Sequence, residues 1–390
     1  MKLLVLALIA VLVRSQGGSY WSMDVQQRAE ELGFEYEEYR VTTQDGYILT
    51  LMRIPSGPNS PPSSKPPILM IHPVFDSGES YTRLGAAYSP AFYLADNGKD
   101  VWLYNVRGNT FSREHVSLDP ASDDEYWDFT MDTIRFDHMA CVEFILETTG
   151  YTNLPALAIS FGGATLGIAL ALEPEFFEQR ISVAIFVSPA LNMANTQSLL
   201  FSKLGMYPQV LQTMRNIGIN VCRDDNRALS QITYMLGTIF PGFSQFIMGI
   251  LIDQPDQSLE DQDGVNILLA RTQFGLGIKA LQHLLQSVRL NDLTYFDYGP
   301  EENNQIYGAD IPPEIPLGNI NVPIALMFGE EDNVITGPDQ DWMRERLDAN
   351  VVFDHVYEEF SHMSFLIGNR IEDYLEDVIE VSEAFISSTD

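Results

Sequence analysis

The amino-acid sequence predicts an α/β fold with a mostly parallel central sheet, helices on both faces and a mainly helical insertion. Three observations predict it. Short apolar runs alternate with helical patterns through the first half of the chain, the alternation stops between about Pro189 and Asn319, and it then resumes to the C-terminus. The order βαβαβ calls for parallel strands covered on both faces, and an insertion between such strands caps the C-terminal edge of the sheet, where ligands bind.

The elements follow in order. Lys2 and the apolar run Leu3 to Val13, ending in Val13-Arg14-Ser15, predict a signal peptide over residues 1–15. The run is 11 residues long, whereas a spanning helix needs about 20. A short helix is expected over Val25 to Leu32. Glu35 to Thr42 and Tyr47 to Ile54 then read as a hairpin joined through Asp45-Gly46. A Pro/Ser-rich loop precedes the strand Ile68 to His72, and a helix ending near Gly98 leads to the strand Val101 to Asn105. Met131 to Thr149 has helical spacing, Leu154 to Ile159 is a strand, Gly162 to Leu172 a helix and Ile181 to Val187 a strand. After the insertion come Pro323 to Gly329 as strand, Asp339 to Leu347 as helix, Val351 to Tyr357 as strand and Ile371 to Ser387 as helix. The expected organisation is a body over residues 16–189 and 319–390 with a cap over 190–318. Within the cap, Ala228 to Ile252 carries no charge over 25 positions. Gly237, Pro241 and Gly242 break this stretch and Ser230, Gln231, Ser244 and Gln245 give it polar positions, so it is read as a lid with apolar faces and not as a membrane span.

Composition excludes some functions. With 22 basic and 54 acidic residues the net charge is −32, which repels nucleic acid and anionic membranes at neutral pH. An acidic digestive compartment would protonate part of that surface, so secretion or a lysosomal or vacuolar location is expected. The two cysteines, Cys141 and Cys222, allow at most one disulfide, and Cys141 sits in a helical pattern as a buried thiol.

The chemistry begins at Leu157-Ala158-Ile159-Ser160-Phe161-Gly162-Gly163, where a strand meets a helix. That is the place of a nucleophile elbow, Gly-x-Ser-x-Gly in its usual form, and Ala158 still satisfies the demand for a small residue. A serine hydroxyl needs a neutral imidazole to take its proton and a carboxylate to orient the ring. In the α/β-hydrolase fold the order is serine, acid, histidine. Of the six histidines, His138 falls in a helix, His283 in the insertion, His355 in a strand, and His115 precedes the serine. His362, in the loop after the last strand, is the expected base. Phe328-Gly329-Glu330-Glu331-Asp332 ends the preceding strand, with Asp332 chosen by register and Glu331 its competitor. The oxyanion of ester hydrolysis needs two backbone N–H donors; Phe161, after the nucleophile, and Val74, beyond the N–H-less Pro73, are the candidates.

Further segments make a resemblance specific. Asp45-Gly46-Tyr47-Ile48-Leu49 with Arg53-Ile54-Pro55, Asp100-Val101-Trp102-Leu103 with Arg107-Gly108-Asn109-Thr110 and Ser112-Arg113, and Met363 to Gly368 after His362 resemble the acid lipase family of gastric and lysosomal lipases. The resemblance covers the body from about residue 24 and is loose in the insertion. It implies an α/β-hydrolase that cleaves neutral-lipid esters, triacylglycerols or sterol esters, without metal or organic cofactor. It also implies Ser160 as nucleophile, Asp332 as acid, His362 as base and Val74 and Phe161 as oxyanion donors. The chain departs from the family at Pro73 (usually glycine), Ile159 (usually histidine) and Phe161 (usually glutamine). The expected partners are a lipid ester and a lipid-droplet or micelle surface, with no nucleic acid and no stable transmembrane segment. A secreted lipid-binding protein with decayed hydrolysis is the alternative that Pro73 and Ala158 keep open, and a hydrolase of amides or small soluble esters would use the same groups. Arg107 and Arg113 are read as braces of the loop after the Val101 strand and not as a phosphate site.

Overall fold

The computed structural model describes residues 22–385 apart from 59, 61–64, 223–226, 241, 254–261 and 272–274. The expected signal peptide and Pro241 lie outside the described residues. The chain runs α1 (Val25–Leu32), β1 (Glu37–Thr42), β2 (Tyr47–Ile54), β3 (Ile68–Ile71), α2 (Pro90–Asp96), β4 (Val101–Leu103) and β5 (Glu114–His115). Next come α3 (Arg135–Thr149), β6 (Leu154–Ile159), α4 (Phe161–Leu172), α5 (Pro174–Phe177) and β7 (Ile181–Val187). The cap follows as α6 (Leu199–Met206), α7 (Gln209–Asn216), β8 (Val221–Cys222), α8 (Arg227–Ile239), α9 (Phe243–Leu251), α10 (Gln262–Arg271), β9 (Leu276–Gly277), α11 (Ile278–Leu285), α12 (Ser287–Leu290) and α13 (Pro300–Tyr307). The body closes with β10 (Ile324–Gly329), α14 (Gly337–Leu347), β11 (Val351–Tyr357), α15 (Ser364–Ile367) and α16 (Ile371–Ala384).

Among the described residues one nine-stranded sheet has the order β1-β2-β4-β3-β6-β7-β10-β11, with β5 beside β2. The β1–β2 and β2–β4 pairs are antiparallel, and every pair from β4 to β11 is parallel. Strands covered on both faces read as unbroken apolar runs. β3, β6 and β10 are buried at every position, while β11, at the edge, is exposed or half-buried everywhere but at Tyr357. The two-residue period divides the core: Leu154, Ala156 and Ala158 of β6 face one apolar cluster with α3 and α4, and Leu157 and Ile159 face the other with α2 and α16.

The insertion holds eight helices among the described residues together with one feature that was not foreseen, the two-residue pair β8–β9. The helix expected from Met131 starts at Arg135, because Thr130 and Thr133 close a turn on each other first. Among the described residues no single helix is long and apolar enough to cross a membrane, and the pair over Ser230–Ile239 and Phe243–Leu251 turns through 117°. Cys141 and Cys222 are not joined by a disulfide, and Cys141 is buried as expected. Arg107 is a brace: it reaches both oxygens of Asp45 (2.6 and 2.9 Å) in the hairpin turn, and its Nε donates to Asp137 of α3 (2.6 Å). Arg113 Nε donates to the Gly108 carbonyl (3.1 Å) in the same loop.

Candidate active site

β6 passes into α4 through one residue, Ser160, whose φ of 55° and ψ of −116° lie where a side chain is strained. Hydrogen bonds hold that conformation. The Ser160 N–H donates to Val187 (3.0 Å), and its carbonyl accepts from Ala164 (3.1 Å) and Ala190 (2.9 Å). The small residues of the motif have a steric cause. A Cβ at Gly162 would stand 2.5 Å from the Ile71 carbonyl oxygen, and one at Gly163 2.5 Å from Pro189 Cβ. Ala158 lies within β6, in register with Ile71 and Phe186, and its methyl is packed in the core. The alanine therefore replaces glycine without disturbing the turn.

The other two residues leave the same edge of the sheet, Asp332 after β10 and His362 after β11. His362 Nδ1 lies 2.8 Å from Asp332 Oδ2, and its Nε2 lies 3.0 Å from Ser160 Oγ. An ionised carboxylate only accepts, so the Nδ1 carries the hydrogen and Nε2 is left to accept from the serine. Asp332 is held in turn, because its Oδ1 accepts from the N–H groups of Val334 and Ile335, both at 2.8 Å. Ser160, Asp332 and His362 are 3%, 5% and 5% exposed, whereas Glu331 is exposed to solvent. The structure thus brings together the serine, acid and histidine expected from the sequence, with Asp332 and not Glu331 on the ring.

The remaining histidines are engaged elsewhere. His138 meets Thr165 (3.1 Å), and His283 lies between Met131 (3.1 Å) and Thr294 (2.8 Å). His115 contacts the Asp45 carbonyl (2.9 Å), and His355 lies on the exposed edge strand. His72 has a more specific position. Its Nε2 accepts from the Val106 N–H (3.2 Å), so its Nδ1 donates to the Pro73 carbonyl (2.8 Å). In a trans peptide the carbonyl and the following N–H point opposite ways, so holding Pro73 O aims the Val74 N–H away from His72. Burial pushes His72 down to about 4, so the ring stays neutral and keeps both bonds.

Phe161 opens α4, and its N–H is among those a helix start leaves without a helical acceptor. Neither this N–H nor that of Val74 has an acceptor among the described residues. The Phe161 side chain is packed in the apolar core. Gly162 sets the elbow directly against the carbonyls of Ile71 and His72, which brings the loop carrying Val74 to the start of α4.

Burial opposes the charged form of His362, but the charge and hydrogen bond of Asp332, with a contribution from Asp253, outweigh it and raise the pKa above 6.5. Asp253 is the residue that sequence reasoning missed. It stands just after α9 and accepts the His362 backbone N–H at 2.6 Å. The one sequence signal was its place as the acid that ends the charge-free stretch from Ala228 to Ile252.

Comparison with known proteins agrees with this architecture. A family model described as a partial alpha/beta-hydrolase lipase region matches residues 25–85, and one described as alpha/beta hydrolase fold matches residues 66–216. The chain is 29% identical over 388 residues to Lipase member K of Homo sapiens, covering 94% of this chain and 92% of that protein. It is 28% identical over 364 residues to gastric triacylglycerol lipase of Bos taurus, covering 88% and 87%. An esterase from Exiguobacterium antarcticum shares the fold at a TM-score of 0.50 and 16% identity, across 89% of this chain and 100% of that one. The chain is also 30% identical over 360 residues to the lysosomal acid lipase/cholesteryl ester hydrolase of Homo sapiens, across 89% of this chain and 87% of that protein. With that identity over that span, and with the sheet and elbow described above, the chain belongs to the α/β-hydrolase superfamily of esterases and lipases, with a general carboxylic-ester hydrolase activity.

Proposed function

We propose that the protein is a lipase of the acid lipase family that cleaves neutral-lipid esters, triacylglycerols or sterol esters, through an acyl-enzyme on Ser160. The observation that carries this reading is the continuous hydrogen-bond chain Ser160–His362–Asp332 at the end of a strained elbow. Ser160 Oγ gives its proton to His362 Nε2 as it attacks the ester carbonyl, and Asp332 orients the ring and stabilises the imidazolium. The oxyanion receives the N–H groups of Val74 and Phe161. His362 then returns the proton to the leaving alcohol, and a water molecule repeats the sequence on the acyl-enzyme. The unbroken chain favours this over a decayed lipid-binding protein.

Two lines support the lipid substrate. Relatives named for triacylglycerol and cholesteryl ester hydrolysis match nearly the whole chain. The cap also turns apolar side chains to solvent, among them Tyr207, Ile217, Ile232, Phe240 and Phe246, as a surface meeting a lipid droplet or micelle would. The proposed organisation is a signal peptide over 1–15, a body over 16–189 and 319–390 and a cap over 190–318, in a secreted or lysosomal protein. The decisive experiment treats the purified protein with a fluorophosphonate. Covalent labelling that disappears in Ser160→Ala supports the reading, and a folded wild-type protein that does not label overturns it.

A further inference from the structure

A carboxylate from the cap reaches into the catalytic edge of the body. Asp253 is 2% exposed and follows α9, whose last residue, Leu251, accepts a hydrogen bond from Ser198 (2.9 Å). One oxygen, Oδ2, accepts the backbone N–H of His362 at 2.6 Å. The other, Oδ1, accepts from the side-chain amide of Asn333 at 2.9 Å, next to Asp332 in the chain. The same amide donates to the Glu331 carbonyl (3.2 Å). The body joins these two loops by the bonds from Glu330 N–H to the Tyr357 carbonyl and from Glu331 N–H to the Phe360 carbonyl (both 3.0 Å), and Asp253 adds a tie from the cap beside the reacting groups.

We propose that Asp253 is a positioning residue for the base: it clamps the His362 and Asp332 loops from the cap and supplies a second negative charge to the imidazolium formed during acyl transfer. The inference rests on the assignment of His362 as base. Among the described residues the charged and titratable groups that face Asp253 are Asp332 and His362. Two buried carboxylates near one imidazole, Asp332 on the ring and Asp253 on the backbone of the same residue, are poorly solvated and repel each other, so the arrangement gains most when the ring is charged. Burial, with the Asp332 charge, pushes Asp253 up to about 6, against the opposing pull of His362. Below that value Asp253 takes up a proton and stops favouring the imidazolium. It thereby eases the demand on the base in acid while its clamp at neutrality depends on the cap being docked.

The test follows fluorophosphonate labelling of the full chain across the pH range in which histidine titrates. In Asp253→Asn the plateau rate is expected to fall about tenfold, since misplacement of a catalytic group on the scale of an ångström costs up to ~100-fold. The midpoint of the acid limb should move to lower pH, because a charge that raised the His362 pKa is gone. Asn333→Ala, which cuts the other arm without changing charge, should lower the plateau several-fold and leave the midpoint in place. An Asp253→Asn protein with wild-type plateau and midpoint overturns the inference. So does a lower plateau with an unmoved midpoint, the mark of a purely structural role. If Asp253→Asn does not fold, Asn333→Ala decides: a reduced plateau supports the clamp and a wild-type plateau overturns it. A wild-type protein that fails to label overturns the base assignment and this inference with it, whereas labelling in the wild type with no effect of either variant overturns this inference alone.

Discussion

The sheet edge of the body and the helical cap use apolar residues in opposite ways. In β3, β6 and β10 every side chain is buried, and the three proposed reacting groups stand on loops that these strands and β11 hold rigidly. In the cap, helices α6 to α9 bury one face and leave Met206, Val210, Ile239, Phe246 and Ile250 in solvent. Close packing in the body fixes side-chain positions, whereas the exposed apolar surface of the cap is what the proposed lipid surface would cover. On the proposed reading, chemistry and substrate access are separately addressable in this molecule, and body and cap meet at contacts such as Asp253 with His362 and Arg271 with Glu79 (2.6 Å).

The largest effect expected from that separation is on Ser160. Ser160→Ala should lower turnover by about 10⁵-fold or more on every substrate, as the loss of a nucleophile in a triad does. Its melting temperature should stay close to wild type, because Ala at φ 55° carries the same backbone strain. Hydrolysis that survives in a pure, folded Ser160→Ala protein would break the assignment of chemistry to the body.

Next in size is the acid. Asp332→Asn should cost about 10⁴-fold in kcat, by analogy with serine proteases in which the amide selects the wrong imidazole tautomer. Glu331→Gln, one residue away and exposed, should stay within about twofold, as surface changes usually do. Reversal of the two results would move the acid by one position.

A smaller effect is expected on changing pH. His362 must be neutral to accept the serine proton, and its pKa is raised, so kcat/KM for a soluble ester should fall as pH drops through a value above 6.5. The slope should approach tenfold per pH unit, as for loss of a single essential base. Collapse of this kind would overturn the proposed acidic compartment, whereas a profile flat to about pH 5 would support it and would mean that the cap or the substrate offsets the field of Asp332 on the ring.

A smaller effect again should come from the cap surface. Phe240→Ser with Phe246→Ser removes two exposed rings, at 59% and 65% exposure, without touching the buried core. Hydrolysis of an emulsified long-chain ester should fall several-fold, what the loss of about 1 kcal/mol of apolar burial at an interface gives. Hydrolysis of a short soluble ester should be unchanged; equal loss on both would show that these rings serve folding and not the interface.

Much of the body was legible before any coordinates. α1, β2, β6, β7 and β11 run over the residues expected of them, because apolar periodicity and turn residues are local signals. The elbow at Ser160 was legible for the same reason, since a tight turn writes its steric demand into adjacent positions, here Gly162 and Gly163. The choice between Asp332 and Glu331 was a matter of register. In the structure the N–H groups of Val334 and Ile335 hold the Asp332 carboxylate inward, on the His362 ring, and this geometry favours Asp332 as the proposed acid.

By itself, then, the sequence determined the alternation of strands and helices and the presence of a helical insertion, and it offered the order serine, acid, histidine of the proposed triad, each being a pattern of neighbours along the chain. Only the tertiary structure decided that His72 holds the peptide that bears the Val74 N–H, and that Asp253 reaches His362 across 109 positions. The physical reason is that a hydrogen bond depends on where two groups lie in space. Chain separation by way of a cap leaves no trace of that distance in the residues on either side.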